Sequence, residues 1–321
     1  MAKVVVTRKI PGSGIKMLQE AGFEVAVSPQ DRVLARNELL NFIQGADGVL
    51  TQLNDKVDES FISAAGANLK VVANFAVGFD NLDLPALLSH NIVATNTPDV
   101  LTEAVAEHTI ALIFAISRRI VEADKLARSQ TLEFGPSVLL GMELNGKTLG
   151  ILGLGRIGSR VAEIGKAVGM EVAYYDVKKN SEFESKVGAI FKITPEELLA
   201  VSDIVSIHVP LLNSTKHLIN AERLKMMKPT SYLINTSRGP VVDEVALTQS
   251  LKSGVIKGAA LDVFENEPRL SPGLENLANV VLTPHIASAT TEARSAMGEL
   301  AAKNIIAVLS GQSPLTPIKK P

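Results

Sequence analysis

The run TLGILGLGRIG, from Thr148 to Gly158, joins an apolar stretch to a helical pattern. Its first part, TLGIL, is predicted to be a buried strand, and residues 159–168 are predicted to be a helix. Between them, Gly153 permits a tight turn, Gly155 lets the backbone approach a phosphate group, and Gly158 lets the helix pack closely on the strand. Because the N–H groups at a helix N-terminus are unpaired and the helix dipole favours anions, this order predicts a phosphate site.

An acidic residue in the following strand indicates which nucleotide binds. Asp176 follows Gly158 by 18 residues and comes directly after the predicted strand Glu171–Tyr175. A carboxylate there can accept hydrogen bonds from both ribose hydroxyls of NAD, and it would repel the 2'-phosphate of NADP. Lys178 and Lys179 lie close enough in sequence to weaken that preference. We therefore expect NAD as the cofactor, with NADP less favoured; the alternatives are a methyltransferase-type nucleotide loop and a glycine turn without a ligand.

The composition excludes several classes of protein and site. The 321 residues are enough for two domains, each with its own core. A formal charge of -2 gives no overall positive field for nucleic acid or an anionic membrane, and no apolar run is long enough to cross a bilayer. The absence of cysteine removes disulfides, thiolate nucleophiles and zinc–cysteine sites, and no metal site is predicted. Since the N-terminus has no signal-peptide core, we expect a cytoplasmic protein.

Short Val/Ile/Leu-rich runs alternate with helical patterns along the whole chain, which is typical of parallel strands joined by crossover helices. We therefore predict an α/β protein with two doubly wound parallel-sheet domains, one flavodoxin-like and one a Rossmann cofactor domain. The predicted strands are residues 3–7, 24–27, 48–51, 71–74 and 92–95 in the first domain, and 148–152, 171–175, 189–191, 204–208, 231–235, 258–262 and 280–283 in the second.

Two long helical patterns set the expected domain boundaries. Thr102–Ser129 contains neither proline nor glycine and is predicted to be one helix that bridges the domains. Ala289–Leu309 is predicted to be an amphipathic helix that returns the chain to the first domain. Residues 1–98 and 287–321 are therefore expected to form the substrate-binding domain, ending in a frayed tail, and residues 99–286 the NAD-binding domain.

Three side chains follow predicted strands of the second domain, at the edge where open α/β sheets place ligands. Arg238 lies three residues after one strand, Glu267 five residues after the next, and His285 two residues after the last. A guanidinium can hold a substrate carboxylate with two hydrogen bonds, and a carboxylate beside an imidazole ring favours its protonated form. Reduction of a carbonyl by a nicotinamide needs such a proton donor. Taken alone, Arg238 and Glu267 are typical of a surface ion pair. Beside a dinucleotide site, however, Arg238, Glu267 and His285 together predict a catalytic set. The histidines at 90, 108, 208 and 217 are predicted to be structural.

The sequence resembles the D-isomer-specific 2-hydroxyacid dehydrogenases over essentially its whole length. Four stretches carry the resemblance: NFAVGFDNLD at 74–83, GLGRIG at 153–158, NTSRG at 235–239, and DVFENEP at 262–268 taken with TPHIAS at 283–288. The resemblance implies that Arg238, Glu267 and His285 are the catalytic residues. His285 would donate the proton in reduction and accept it in oxidation.

The resemblance also implies the binding residues. Backbone N–H groups of Val77 and Gly78 would bind the substrate carboxylate together with Arg238, and Leu53 and Asn54 would line the same cleft. The cofactor-binding residues would be Gly153, Gly155, Arg156, Ile157, Gly158, Asp176, Val209, Pro210, Thr236, Ser237, Asp262, His285 and Ala287. The family architecture implies a homodimer built on the cofactor domain, with residues 126–145 reaching over the partner.

Within the family, residues 74–78 and 97–102 are most similar to glyoxylate and hydroxypyruvate reductases. The expected substrate is therefore a small, unphosphorylated 2-oxo acid, reduced with NADH. A phosphoglycerate dehydrogenase or a D-lactate dehydrogenase is an alternative within the family. An NAD(H)-sensing, corepressor-like binding protein is an alternative from another class, because such proteins share the fold and the same three residues. The lack of a basic or disordered extension for recruiting partners favours the enzyme.

Overall fold

The structure is a computed structural model that describes residues 1–131 and 135–319. The chain divides into two compact units. The terminal unit comprises Met1–Leu101 together with the chain from Ser288 onward. The central unit comprises Thr102–Ala287.

Both breaks between the units differ from the expected positions, residues 98 and 286. Residues 99–101 stay with the terminal unit, where the adjoining Thr97 donates its N–H to the carbonyl of Ala76 at 2.9 Å. Ala287 stays with the central unit because its N–H donates to the carboxylate of Asp262 at 2.8 Å. Each unit therefore keeps the loop whose hydrogen bonds it satisfies.

The terminal unit is built on a five-stranded parallel sheet. Its strands are β1 (Lys3–Val6), β2 (Glu24–Val27), β3 (Gly48–Thr51), β4 (Val71–Asn74) and β5 (Val93–Thr95). The order across the sheet is β2-β1-β3-β4-β5, which confirms the flavodoxin-like order predicted from the sequence. Every residue of β3 and β4 is buried, as expected for inner strands of a parallel sheet with helices on both faces.

The central unit is built on a seven-stranded parallel sheet. Its strands are β6 (Thr148–Leu152), β7 (Glu171–Tyr175), β8 (Ile190–Phe191), β9 (Ile204–Ile207), β10 (Tyr232–Asn235), β11 (Gly258–Leu261) and β12 (Val280–Leu282). The order is β12-β11-β10-β9-β6-β7-β8, the predicted Rossmann arrangement. The direction of winding reverses between β6 and β9, and open α/β sheets bind ligands outside the carboxyl ends of the strands at such a point.

Twelve α-helices connect these strands in the described residues. They are α1 (Gly14–Glu20), α2 (Arg36–Phe42), α3 (Glu59–Ala65), α4 (Leu84–Ser89), α5 (Thr102–Ser117), α6 (Ile120–Arg128), α7 (Arg156–Ala167), α8 (Ser181–Val187), α9 (Pro195–Val201), α10 (Ala221–Met226), α11 (Glu244–Ser253) and α12 (Thr291–Leu309). In the terminal unit α12 packs closely on α1, where a Cβ at Gly14 would lie 2.5 Å from the carbonyl oxygen of Gly298. None of these helices is long and apolar enough to cross a membrane.

The single helix predicted over Thr102–Ser129 is two helices in the structure. α5 ends at Ser117, and α6 follows after a break at Arg119, which has φ = 53°. The carbonyl of Ser117 accepts a hydrogen bond from the N–H of Met142 at 2.7 Å. The last residue of α5 is therefore hydrogen-bonded to a distant segment of the chain, and no helical pattern in the sequence indicates that bond.

Candidate active site

The glycine run after β6 has the geometry of a phosphate-binding turn. Gly153 has φ = 99°, and a Cβ there would lie 2.9 Å from the backbone of His208. A Cβ at Gly158 would lie 2.1 Å from the carbonyl oxygen of Gly153, so neither position admits a side chain. A Cβ at Gly155 would meet no atom within 4 Å. The backbone is therefore open at the residue where the dinucleotide motif approaches the pyrophosphate.

The N-terminus of α7 lies at the same turn. Gly155 is the N-cap of this helix and provides no side-chain cap for its first N–H groups. The helix begins at Arg156, three residues earlier than predicted, so Ile157 and Gly158 belong to its first turn. The glycines, which are poor helix formers, made the sequence pattern place this start too late. The N-terminal donors and the helix dipole fit a dinucleotide pyrophosphate.

Asp176, which follows β7, is hydrogen-bonded to the glycine turn. Its Oδ2 accepts a bond from the N–H of Leu154 at 2.7 Å, and its Oδ1 accepts one from the N–H of Lys178 at 3.3 Å. The carboxylate therefore helps to hold the turn, and Asp176 is half-buried. This position fits the ribose-binding acid of a dinucleotide fold.

The loops after β9 and β10 are tied to each other and to α5. The hydroxyl of Ser237 donates to the carbonyl of Val209. The hydroxyl of Thr109 on α5 donates to a carbonyl one turn earlier at 2.7 Å, so Thr236 is the donor in the 2.9 Å bond between the two threonine hydroxyls. Pro210, the next residue of the first loop, is exposed. The cofactor contacts predicted for these residues stay predictions.

Arg238 lies in the loop after β10, and buried Asn235 shapes that loop. The Nδ2 of Asn235 donates to the carbonyl of Arg238 at 2.9 Å, and its Oδ1 accepts from the N–H of Ser237 at 3.0 Å. The guanidinium donates from Nη1 to the carbonyl of Ser237 at 2.8 Å. Gly239 then packs on the loop after β11, where a Cβ would lie 1.9 Å from the backbone of Phe264. The loop of Arg238 is thus held from within and from the neighbouring strand end.

His285 and Glu267 form a hydrogen-bonded pair. The Nδ1 of His285 lies 2.9 Å from Oε2 and 3.2 Å from Oε1 of Glu267. Oε1 also accepts from the N–H of Phe264 at 3.0 Å, which fixes the carboxylate. The two side chains are 30% and 24% exposed. Because Nδ1 faces the carboxylate, Nε2 is the ring nitrogen available to a substrate.

The buried carboxylate of Asp262 organises the loop after β12. Its Oδ1 accepts from the hydroxyl of Thr283 at 2.6 Å and from the N–H of Ile286 at 2.9 Å, and its Oδ2 accepts from the N–H of Ala287 at 2.8 Å. Burial raises the pKa of Asp262, but these bonds and the nearby imidazole of His108 outweigh it and hold the pKa below its usual value of 3.8. The carboxylate is therefore ionised at neutral pH. A contact of this residue with the cofactor stays a prediction.

In the terminal unit, the loop after β4 carries Val77 and Gly78. The Nδ2 of Asn74 donates to the carbonyl of Gly78 at 2.9 Å, and the Nδ2 of Asn96 donates to the carbonyl of Val77 at 2.7 Å. Two side-chain amides therefore fix the peptide planes of this loop. The binding of a carboxylate by its N–H groups stays a prediction.

Leu53 and Asn54 lie in the loop after β3, which is held by Asp55. Leu53 is half-buried and Asn54 is exposed. The Oδ2 of Asp55 accepts from the hydroxyl of Thr7 at 2.6 Å and from the N–H of Gln52 at 2.7 Å. Burial raises the pKa of Asp55, and the two bonds offset this only in part.

Two loop-shaping residues, Asn74 and Asn235, have no role predicted from the sequence. Each is the last residue of a fully buried parallel strand. A buried amide needs hydrogen-bond partners, and at a strand end the adjoining loop supplies them. A polar residue that closes an apolar strand is therefore the signal that would have identified both.

Comparison with known protein families agrees with this geometry. The family model described as "D-isomer specific 2-hydroxyacid dehydrogenase, NAD binding domain" matches residues 110–287. A glyoxylate reductase from Thermofilum pendens is 50% identical over 322 aligned residues, which cover 99% of this chain and 94% of that protein.

Two solved structures are similar over both units. The crystal structure of an NADPH-dependent glyoxylate/hydroxypyruvate reductase from Sinorhizobium meliloti, in complex with NADP and malonate, has a TM-score of 0.84 at 33% identity, covering 99% of this chain and 96% of that chain. The crystal structure of a glyoxylate reductase from Paecilomyes thermophila has a TM-score of 0.88 at 30% identity, covering 99% and 98%. The resemblance thus extends over the whole of each chain.

Proposed function

The chain belongs to the D-isomer-specific 2-hydroxyacid dehydrogenase family of oxidoreductases, and from this we propose that it reduces a small 2-oxo acid to the D-2-hydroxy acid with NADH. The observation that carries the proposal is the pair of His285 and Glu267, joined at 2.9 Å in the same unit as the glycine turn. A proton donor and a dinucleotide site together are what carbonyl reduction requires.

His285 acts as the proton donor. When bound, the nicotinamide supplies the hydride that reaches the carbonyl carbon of the substrate. The Nε2 of His285 gives its proton to the carbonyl oxygen, which becomes the hydroxyl group of the product. Glu267 faces Nδ1, so it fixes the ring plane and leaves Nε2 for the substrate. In the oxidative direction the same nitrogen accepts the proton.

Arg238 holds the substrate carboxylate. Its planar guanidinium can make two parallel hydrogen bonds to a carboxylate, and its charge polarises the adjacent carbonyl. Asn235 bonds to both the carbonyl of Arg238 and the N–H of Ser237, so the backbone that carries the guanidinium is fixed. The N–H groups of Val77 and Gly78 and the side chains of the β3 loop add further contacts in this proposal.

The preferred cofactor is NADH. Asp176 supports this, because a carboxylate that faces the ribose repels a 2'-phosphate. The related reductase from Sinorhizobium meliloti is NADPH-dependent by its description, so members of the family differ in this choice. The rate ratio between NADH and NADPH decides the question, and we expect NADH to be favoured.

The substrate is of the glyoxylate or hydroxypyruvate type. The glyoxylate reductase of Thermofilum pendens, at 50% identity, supports this choice over the phosphoglycerate and D-lactate dehydrogenases. In this assignment His285 and Arg238 need a substrate with a carbonyl beside a carboxylate, and no further charged group.

The proposed assembly is a homodimer formed through the central unit. Exposed apolar side chains there support it: Ile120 is 50% exposed, Val138 43% and Leu140 64%. Residues 132–134 of the predicted arm at 126–145 lie outside the described residues. Sedimentation equilibrium should give twice the chain mass of 34.1 kDa, and a single-chain mass at micromolar concentration would contradict the dimer.

The activity is tested with a panel of oxo acids. Purified protein is given glyoxylate, hydroxypyruvate, pyruvate and 3-phosphohydroxypyruvate, each with NADH and with NADPH, and the loss of cofactor absorbance is followed. We expect turnover of glyoxylate and hydroxypyruvate with NADH above that of the other two acids. Binding of NADH without turnover of any oxo acid would instead favour a dinucleotide-sensing protein.

A further inference from the structure

His108, on α5, lies beside the loop that carries His285. Its Nε2 is 3.1 Å from the hydroxyl oxygen of Thr283 and 3.5 Å from Oδ1 of Asp262. The imidazole side chain is 20% exposed, and that of Asp262 is fully buried. We call His108, Thr283 and Asp262 the α5 triad. It lies within the central unit, and Thr283 is two residues before His285.

The direction of the hydrogen bonds in the α5 triad follows from the number of protons. A threonine hydroxyl has one hydrogen, and Thr283 donates it to Oδ1 of Asp262 at 2.6 Å. The hydroxyl oxygen of Thr283 can then only accept from His108. The Nε2 of His108 therefore bears a hydrogen whether the ring is neutral or charged.

The α5 triad is connected to His285 by hydrogen bonds between Asp262 and the backbone of the His285 loop. The carbonyl of Asp262 accepts from the N–H of His285 at 2.8 Å, and its carboxylate accepts from the N–H groups of Ile286 and Ala287 at 2.9 and 2.8 Å. His285 has φ = 55°, in the left-handed region that residues other than glycine rarely adopt. Such a conformation persists only where the surroundings fix it, and here Asp262 provides the bonds that do so.

We propose that His108 is a positioning residue for His285. By donating from Nε2 to Thr283, it keeps the threonine hydroxyl directed as a donor to the Asp262 carboxylate, and through Asp262 it holds the His285 loop in its left-handed conformation. His285 then presents Nε2 in one orientation, with Nδ1 on Glu267. The effect on turnover rests on the proposed function, whereas the effect on the loop does not.

The competing explanation is that His108 only fills space on α5. The two explanations differ in what can replace the ring. A leucine fills similar volume without a donor, whereas the Nε2 amide of a glutamine side chain can donate at about the position of a histidine Nε2. If His108 positions the His285 loop, glutamine at residue 108 should preserve the conformation of that loop and leucine should not.

The test compares His108→Leu and His108→Gln with the wild type, and uses His90→Leu as a matched control. His90 lies in the terminal unit, where its ring contacts Glu59 on the surface. Amide hydrogen exchange is measured in the free protein for the peptide that contains residues 283–289. Turnover of glyoxylate and the dissociation constant of NADH are measured in parallel.

We expect His108→Leu to speed exchange in this peptide about tenfold and to lower kcat about tenfold, the effect of one lost hydrogen bond, with NADH binding within about threefold of wild type. His108→Gln and His90→Leu should stay within about threefold in every measurement. Unchanged exchange in His108→Leu, or equal damage by leucine and glutamine, would overturn the proposal.

The tautomer of His108 in the wild type provides a measurement that needs no variant to fold. Nitrogen-15 chemical shifts should place the hydrogen of a neutral ring on Nε2, and a hydrogen on Nδ1 alone would overturn the proposal. If the wild type turns over no oxo acid but the exchange and tautomer results hold, the proposed function fails and the positioning of the loop stands.

Discussion

Two buried aspartates hold loops at the carboxyl ends of the two sheets, and their pKa values move in opposite directions. Asp55 in the terminal unit is 4% exposed and Asp262 in the central unit is 0% exposed, so burial acts to raise the pKa of both. Asp55 accepts bonds from a threonine hydroxyl and one N–H, and its pKa stays raised. Asp262 accepts bonds from a threonine hydroxyl and two N–H groups, His108 lies 3.5 Å from its Oδ1, and its pKa is lowered. The number of donors decides which form of a buried carboxylate is favoured.

Asp262 therefore holds its loop more firmly than Asp55 holds the loop after β3. The charge on Asp262 is fully hydrogen-bonded and fixes the loop of the proposed proton donor. The charge on Asp55 is only partly compensated, so its ionisation opposes folding of the terminal unit. The following changes test this contrast.

Replacement of Asp262 by asparagine should have the largest effect. An amide in place of the carboxylate would set an N–H donor against the N–H of Ile286 or Ala287 and would free the loop. A displacement of His285 by about 1 Å can cost about 100-fold, and we expect glyoxylate turnover to fall by that factor. Asp55→Asn is the matched control and should keep kcat within about threefold. Equal losses in the two variants would contradict the contrast.

A matched pair of threonine changes compares the two carboxylates directly. Thr283 donates to Asp262 and Thr7 donates to Asp55, each at 2.6 Å. At pH 3.8, the usual pKa of aspartate, the lowered pKa of Asp262 favours its ionised form and the raised pKa of Asp55 favours its protonated form. Because bonds to charged groups are stronger, Thr283→Val should cost about 1.5–3 kcal/mol and Thr7→Val about 0.5–1.5 kcal/mol. Urea unfolding read by peptide-resolved hydrogen exchange measures each unit separately. A larger cost for Thr7→Val would reverse the interpretation.

A third aspartate, Asp176, accepts a bond from the glycine turn and is also proposed to bind the cofactor ribose. Asp176→Ala should narrow the preference for NADH over NADPH about tenfold, since the carboxylate that repels the 2'-phosphate is lost. Asp176→Asn keeps an acceptor for the N–H of Leu154 and separates loss of the charge from loss of the glycine turn. The ratio of kcat/KM values with the two cofactors is measured. An unaltered ratio in both variants would remove Asp176 from cofactor selection.

The smallest effect concerns pH. Because the folded-state pKa of Asp55 is raised above the usual 3.8, its contribution to stability is present below that pH and is lost as the pH rises through the folded-state pKa. Asp55→Asn removes this loss, so the thermal midpoint of Asp55→Asn minus that of the wild type should increase from pH 4 to pH 7. Asp31→Asn changes an aspartate whose side chain is 80% exposed and should follow the wild type. A decrease from pH 4 to pH 7 in the difference between Asp55→Asn and the wild type would contradict the sign.

Local patterns predicted much of the fold. β3, β4 and β6 have the bounds read from the sequence, since each is an apolar run that ends in a polar residue or is followed by a glycine. The proposed acid and its carboxylate partner were also foreseen as a pair, and they meet at 2.9 Å. The position of an aspartate near a strand end does not indicate which hydrogen-bond donors reach its carboxylate.

Those donors come from distant parts of the chain. Thr7 lies 48 residues from Asp55, and His108 lies 175 residues from Thr283. The end of α5 was not predicted for the same reason, because the carbonyl of Ser117 accepts a hydrogen bond from the N–H of Met142. Such bonds depend on tertiary packing, and no local pattern of residues specifies them.

The central claim is that His285 gives the proton to the reduced oxo acid. Proton donation by His285 is tested by the turnover of glyoxylate by His285→Ala at saturating NADH. The dissociation constant of NADH is determined on the same preparation. We predict that kcat falls at least about 100-fold while NADH binding is unchanged. Turnover near that of the wild type would contradict the claim.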